Sequence, residues 1–224
     1  MAKGTKLKTE VGPLKYVFIT GEGRNNAMKG EEPRMQYVAS LCVPVDGKVH
    51  KAFHKLVYGE WERYKAEFGV KGKPGLNKNG DPMDGMKIEK MKDPDGEIDP
   101  QTEEVKLVPT GNVLITFKTN TKWPDGNAQI VKVFDGKGKN ITEAVHAADW
   151  AIGEGSEGVI HGSAVGNNTG GSHKVTLYLS AVQLTKLEKY EGDEVDAEDI
   201  GGDDIDLGDS VAAVDAEDSA TPDL

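Results

Sequence analysis

The chain has 224 residues, with 27 Lys and Arg against 38 Asp and Glu and a formal charge of −11. That length fits one substantial domain. No run approaches the roughly 18 apolar residues needed to cross a membrane, and the basic residues 1–8 have no apolar stretch behind them, so they do not form a secretory signal. Cys42 is the only cysteine, which rules out an intramolecular disulfide and a CxxC metal site and fits a reducing compartment. It sits in an apolar run and reads as a small buried hydrophobe.

Residues 1–13 are a polar lead-in. The aromatic and β-branched run 14–20 predicts a strand, and residues 21–33, with Arg24 and Lys29, a loop. A second strand is expected over 34–43, with Met35, Tyr37, Ala39, Leu41 and Val43 on one face. Pro44 ends it, and Asp46 is placed to cap a helix. Val49, Phe53, Leu56, Val57, Trp61, Tyr64 and Phe68 recur at helical spacing, and Gly69 is a natural stop. These helix aromatics read as core packing.

Residues 70–108 are rich in Gly, Pro, Lys and Asp. A structureless loop that long is unusual in a compact domain, so either a short strand near 86–91 or a mobile binding loop is expected. Strands follow at 111–119, 128–134 and 159–165. A long one opens at 173, with Val175, Leu177, Leu179 and Ala181 opposed to Thr176, Tyr178 and Ser180. Five or six strands with one helix and no βαβ repetition suggest a small barrel or a partly open antiparallel sheet.

The chain changes character at residue 191. Residues 191–224 contain 14 carboxylates and no Lys, Arg or His, while residues 1–190 keep 27 basic and 24 acidic side chains. Glycines interrupt every apolar period there, so the segment cannot bury enough area to offset its ordering entropy and is expected to be disordered. The division is therefore a body over 1–190 and an acidic tail over 191–224. The tail reads equally as a charge-controlled competitor for a binding surface or as a plain solubiliser.

Enzyme signatures fail on their contexts. Gly153, Gly155 and Gly158 match GxGxxG, but a strand-like run follows where a dinucleotide site needs a helix, so they read as turn glycines. Around Asp93, Asp95, Glu97 and Asp99 the glycine is misplaced for a calcium loop. His50 and His54 lack the intervening acid of HExxH, and no serine has a GxSxG setting. Neither catalytic residues nor a metal or cofactor is expected.

A basic, aromatic body remains. Exposed bases need aromatic platforms and phosphates need cations, which makes a single nucleic-acid strand the ligand class that fits. Tyr16, Tyr37, Phe117, Phe134 and Tyr178 sit on expected strands near basic residues, and the candidate platforms are Trp123, beside Lys122 at an expected strand-to-loop corner, then Phe117, Phe134 and Tyr178. The candidate phosphate contacts are Lys118, Lys122, Lys132, Lys137 and Lys139 around one expected hairpin, with Arg34 joining them if the sheet order allows.

Several stretches in order resemble one family. They are Tyr37-Val38-Ala39-Ser40-Leu41-Cys42-Val43-Pro44 leading into a helix, the strand and basic turn from Gln129 to Lys139, the turn Ile152-Gly153-Glu154-Gly155-Ser156 before a strand, and a final strand running into a glycine and acid tail. Together with the length, they resemble the single-stranded DNA-binding proteins of T7-like bacteriophages. The resemblance implies an all-β OB-fold, a five-stranded antiparallel barrel with a capping helix. It also implies non-enzymatic binding and protection of single-stranded DNA in phage replication, recombination and repair, in the cytoplasm of the infected host. Further implications are a homodimer and a tail that folds over the DNA groove and contacts phage DNA polymerase and helicase-primase, here through Asp218, Asp223 and Leu224. The chain departs from the family in two places. Residues 157–161 lack the expected lysines, and the chain ends in Leu224 in place of an aromatic. The competing function is a phage structural or interaction module whose tail only keeps it soluble.

Overall fold

In the computed structural model of the chain, which describes residues 4–27, 32–76, 83–96, 105–148, 150–169 and 171–190, the two-residue alternation resolves into long strands. The acidic segment 191–224, with Asp218, Asp223 and Leu224, lies outside the described residues, as do Lys29, Lys78, Glu97 and Asp99. The strands are β1 (Thr5–Lys8), β2 (Gly12–Phe18), β3 (Arg24–Asn25), β4 (Met35–Pro44), β5 (Met86–Lys92), β6 (Leu107–Asn120), β7 (Lys132–Phe134), β8 (Ala151–Ile152), β9 (Glu157–Thr169), β10 (Ser172–Lys186) and β11 (Lys189–Tyr190). Two helices interrupt them, α1 (Lys48–Phe68) and the single turn α2 (Thr142–His146).

Nine strands share one sheet in the order β1-β9-β2-β4-β6-β10-β7, with β3 added to β4, β5 added to β6, and a second pairing of β9 with β10. β8 and β11 form a separate ribbon. The β4–β6 ladder runs from Gln36 opposite Asn120 to Pro44 opposite Asn112. β10 runs antiparallel to β9 but parallel to β6, which it meets at Tyr178 and Lys118, and parallel to β7. The expected five or six antiparallel strands are thus too few, and the sheet is mixed. The expected strand at 128–134 also shrinks to three residues. Its first half is spent closing a hairpin through the Lys122–Ala128 bridge.

The core lies between the inner face of the sheet and α1. Leu14, Leu41, Ile115, Phe117, Ile160 and Leu177 are buried against Phe53, Val57, Trp61 and Tyr64 of the helix. Phe53 meets Phe117 edge-on at 5.9 Å between centroids. Gly166 on β9 lets the helix come close, since a Cβ there would overlap the Tyr64 ring. Gly69 ends α1 in the left-handed conformation at φ 67, as expected. The start differs from expectation. Gly47 is the N-cap, and Asp46 stands outside the helix at φ 58, its N–H donating to His50 Nδ1 at 3.0 Å. The apolar stripe is also shorter than its spacing suggests, because Phe68 is exposed beyond the last strand contact. Among the described residues no helix is long and apolar enough to cross a membrane.

Candidate nucleic-acid interface

Period two puts one face of each central strand into the core and the other outward. On β4, β6 and β10 the outward set includes Val38 and Ser40, Thr116 and Lys118, and Lys174, Thr176 and Tyr178. These side chains line two adjoining depressions of about 540 and 580 Å³. Lys118, Lys174 and Thr176 line both, so the two form one groove. Tyr16, Arg24 and Lys87 belong to its first half, and Arg34, Asn120 and Lys122 to its second. Among the described residues six cations therefore border the groove, and neither half has an Asp or Glu in its lining.

The cations perturb one another. Burial lowers the Lys118 pKa, and the charges of Lys174, Lys87 and Arg34 lower it further. Lys174 is lowered by burial and by Arg34. A lysine crowded by like charges with no acid beside it carries stored electrostatic repulsion that a bound anion relieves. Lys118 has its Cα partner in Tyr178, whose ring is 40% exposed, so a cation and an aromatic face stand side by side.

A second aromatic enters from β2. The β2–β4 register slips between Lys15 and Phe18, and within that bulge Tyr16 takes φ 52 and is 48% exposed. Left-handed backbone is uncommon for a residue with a bulky side chain, and bulges of this kind re-aim side chains at sites. Next to it the Arg24 guanidinium lies 5.4 Å from the centre of the exposed Phe18 ring.

Of the residues chosen from sequence, the groove unites Arg34, Lys118, Lys122 and Tyr178. Phe117 does not belong with them. It is wholly buried on the face of β6 opposite Lys118, so it has no surface for a base. Trp123 is 53% exposed on the tip of the Lys122–Ala128 hairpin, where its N–H donates to Asn127 O at 2.8 Å, beside the groove but not in its lining. Lys132 and Phe134 lie on β7, which pairs with Ala181–Gln183, farther along β10 than Tyr178. Lys137 and Lys139 occupy the following turn, where both N–H groups donate to the Asp135 carboxylate, at 2.9 and 2.8 Å. None of these four lines the groove.

Sequence reasoning missed Arg24, Lys87 and Lys174, and it noted Tyr16 only as one of several strand aromatics near basic residues. Lys174 was within reach, since it stands two and four residues before Thr176 and Tyr178 on one strand face. The others needed the pairings of β2, β3 and β5. The expected turn glycines divide as well. Gly155 is left-handed at φ 94, whereas Gly158 is a strand residue of β9 whose Cβ would strike the Gln183 carbonyl. Among the described residues no three His, Cys, Asp or Glu side chains converge to hold a metal.

No family model and no curated protein matches the chain. Solved structures do. The structure of gp2.5, a single-stranded DNA-binding protein encoded by bacteriophage T7, aligns with a TM-score of 0.53 at 18% identity, over 90% of this chain and 100% of that one. The single-stranded DNA-binding protein from bacteriophage Enc34, in complex with single-stranded DNA, aligns with a TM-score of 0.47 at 16% identity, over 84% of this chain and 89% of that one. A C-terminal truncation of the Enc34 protein aligns with a TM-score of 0.48 at 16% identity, over 84% and 97%. The match to gp2.5 shows a shared fold, mostly β with a capping helix.

Proposed function

We propose that the chain binds single-stranded DNA along the groove of β4, β6 and β10, without catalysis. The observation that carries this reading is a groove bordered by six cations and an exposed tyrosine, with no carboxylate in its lining among the described residues. Phosphates supply the missing counter-charge and release counterions as they bind. Unpaired bases stack on Tyr178 and Tyr16, which requires no helix in a duplex groove. In this reading the sheet is an OB-type barrel, closed where β9 pairs with both β2 and β10.

The finer role follows the family resemblance. It is protection of single-stranded DNA during phage replication, recombination and repair, by a homodimer in the cytoplasm of the infected host. The tail, residues 191–224, is a tethered polyanion of 14 carboxylates that competes with DNA for the same cations. Its terminal Asp218, Asp223 and Leu224 recruit phage DNA polymerase and helicase-primase.

Titration with single-stranded oligonucleotides from low to moderate salt tests both levels, using full-length and 1–190 protein. The expected result is steep salt dependence, with tighter binding by the shortened protein at low salt and a gain that shrinks as salt screens the tail. Undetectable binding at low salt overturns the DNA reading in favour of a structural module. Equal affinity of the two forms at the lowest salt overturns tail competition alone.

A further inference from the structure

The groove stops at Tyr178, but the sheet face that carries it continues. Tyr178 is the cross-strand partner of Lys118 on one side and of Ser163 on the other, and Ser163 is the partner of Lys6. One row of side chains thus runs Lys118, Tyr178, Ser163, Lys6 across β6, β10, β9 and β1. A second row lies beside it, past the register shift between Leu179 and Ala181. There Ala181 pairs with Lys132 of β7 and with His161 of β9, and His161 pairs with Lys8. Cross-strand partners share a face. Burial agrees, since Leu7 packs against the core while Lys6 and Lys8 on either side of it are exposed, as are Lys132 and Tyr178.

Lysines stand at both ends of both rows, and neither row contains an Asp or Glu. Lys6, Lys8 and Lys132 form no ion pair with any described residue. Glu10, two residues past Lys8, is the first acid beyond it in the chain. Burial lowers the His161 pKa and the Lys8 charge lowers it further, against a hydrogen bond with Gln183. The charge of Lys8 is thus felt on this face, and the imidazole stays uncharged at neutral pH. Three strand spacings of roughly 4.8 Å separate β1 from β6, about 14 Å in all. A polyanion longer than the groove carries its charge past Tyr178, and the two rows lie within its reach.

We infer that a DNA strand held in the groove leaves it over Tyr178 and crosses β10 and β9 to β1, where Lys6 and Lys8 contact its phosphates. The inference rests on the single-strand reading above and extends the path onto a second surface, outside the groove. These contacts position the strand and select no sequence.

Length separates the two surfaces. Full-length wild type and a Lys6→Ala, Lys8→Ala double variant are titrated at low salt with thymidine oligonucleotides of about 6 and about 16 nucleotides, within the range that one OB-type fold occupies. Both lysines are exposed, so their loss leaves the core intact. The short oligonucleotide, held by the groove alone, is expected to bind both proteins equally. The long one should bind the variant about fivefold more weakly, with a salt slope lower by roughly 1.4, the share of two phosphates on a single strand. Lys48→Ala with Lys51→Ala, exposed on α1, removes the same charge elsewhere and should leave the long oligonucleotide bound as by wild type. A Lys6→Ala, Lys8→Ala protein that binds the long oligonucleotide no more weakly than this control overturns the inference and leaves single-strand binding intact. Equal weakening at both lengths overturns it too. Failure of the wild type to bind either oligonucleotide overturns the single-strand reading and this inference with it.

Discussion

Two groups of charges around β4 and β6 meet opposite fates. Beside β2 and β5, Lys15 bridges Glu89 and Glu154, each at 2.7 Å, and buried Glu89 also accepts from Thr110 Oγ1 at 2.6 Å and Asn112 Nδ2 at 3.1 Å. On α1, buried Glu60 accepts from Arg63, from Thr5 Oγ1 and from the Gly166 N–H, tying the helix to β1 and β9. In the groove, Lys118 and Lys174 are crowded by other cations, with no acid in the lining among the described residues. Where charge only serves the fold, each carboxylate is fully paired. Where like charges crowd one another, as at Lys118 and Lys174, a bound anion would relieve the repulsion.

The paired side breaks hardest. Burial pushes Glu89 up, but Lys15, Thr110 and Asn112 outweigh it and hold the carboxyl at about 2, below its ordinary 4.5. Glu89→Ala removes the common partner of all three and is expected to cost about 2–4 kcal/mol of stability, measured by denaturant unfolding. The sign in pH follows from a depressed carboxylate. Its contribution is complete above 4.5 and is lost as pH falls through about 2. Acid unfolding of Glu89→Gln should therefore lack part of the wild-type pH dependence in that window.

The groove side is expected to respond in affinity and not in stability. Tyr178→Ala should cost about 1–3 kcal/mol of single-strand binding, with the midpoint of unfolding little changed, because the ring is a solvent-facing platform. Trp123→Ala, outside the groove lining, should cost less than Tyr178→Ala, and the reverse order would move the DNA path toward the Lys122–Ala128 hairpin. Replacing Lys118 and Lys174 together by alanine should weaken binding by about tenfold at low salt and reduce the salt slope by roughly 1.4. The same double variant should unfold at the same temperature or higher, since mutual repulsion is relieved. A drop in its melting temperature would show that these lysines serve the fold. The smallest effect is expected from neutralising Lys137 and Lys139, which stand beyond the groove.

Local pattern was legible where one element sufficed. The 3.6-residue stripe placed α1 and its glycine stop, and the alternation in β6 and β10 separated Val113, Ile115 and Phe117 from Lys118, and Leu177 from Tyr178. Alternation does not say which face is wet, so it left open which of Phe117 and Lys118, neighbours in sequence on opposite faces, is the surface residue. Burial separates them. A mostly β architecture with one long helix follows from such local periods together with the absence of any βαβ repeat, whereas the helix as a cap was implied by the family resemblance.

Composition and period by themselves determined the charge division at residue 190, the long helix, the longest strands and the cation-with-aromatic chemistry of the body. Only the tertiary structure decided which cations meet. Arg24, Arg34, Lys87, Lys118 and Lys174 come from five different strands or their edges, and their meeting depends on the β3–β4, β4–β6 and β5–β6 ladders and on a single parallel contact between Tyr178 and Lys118. Strand order and register are fixed by long-range burial on the helix-covered face. A sequence period, which repeats every two residues whatever the neighbour, carries no record of them.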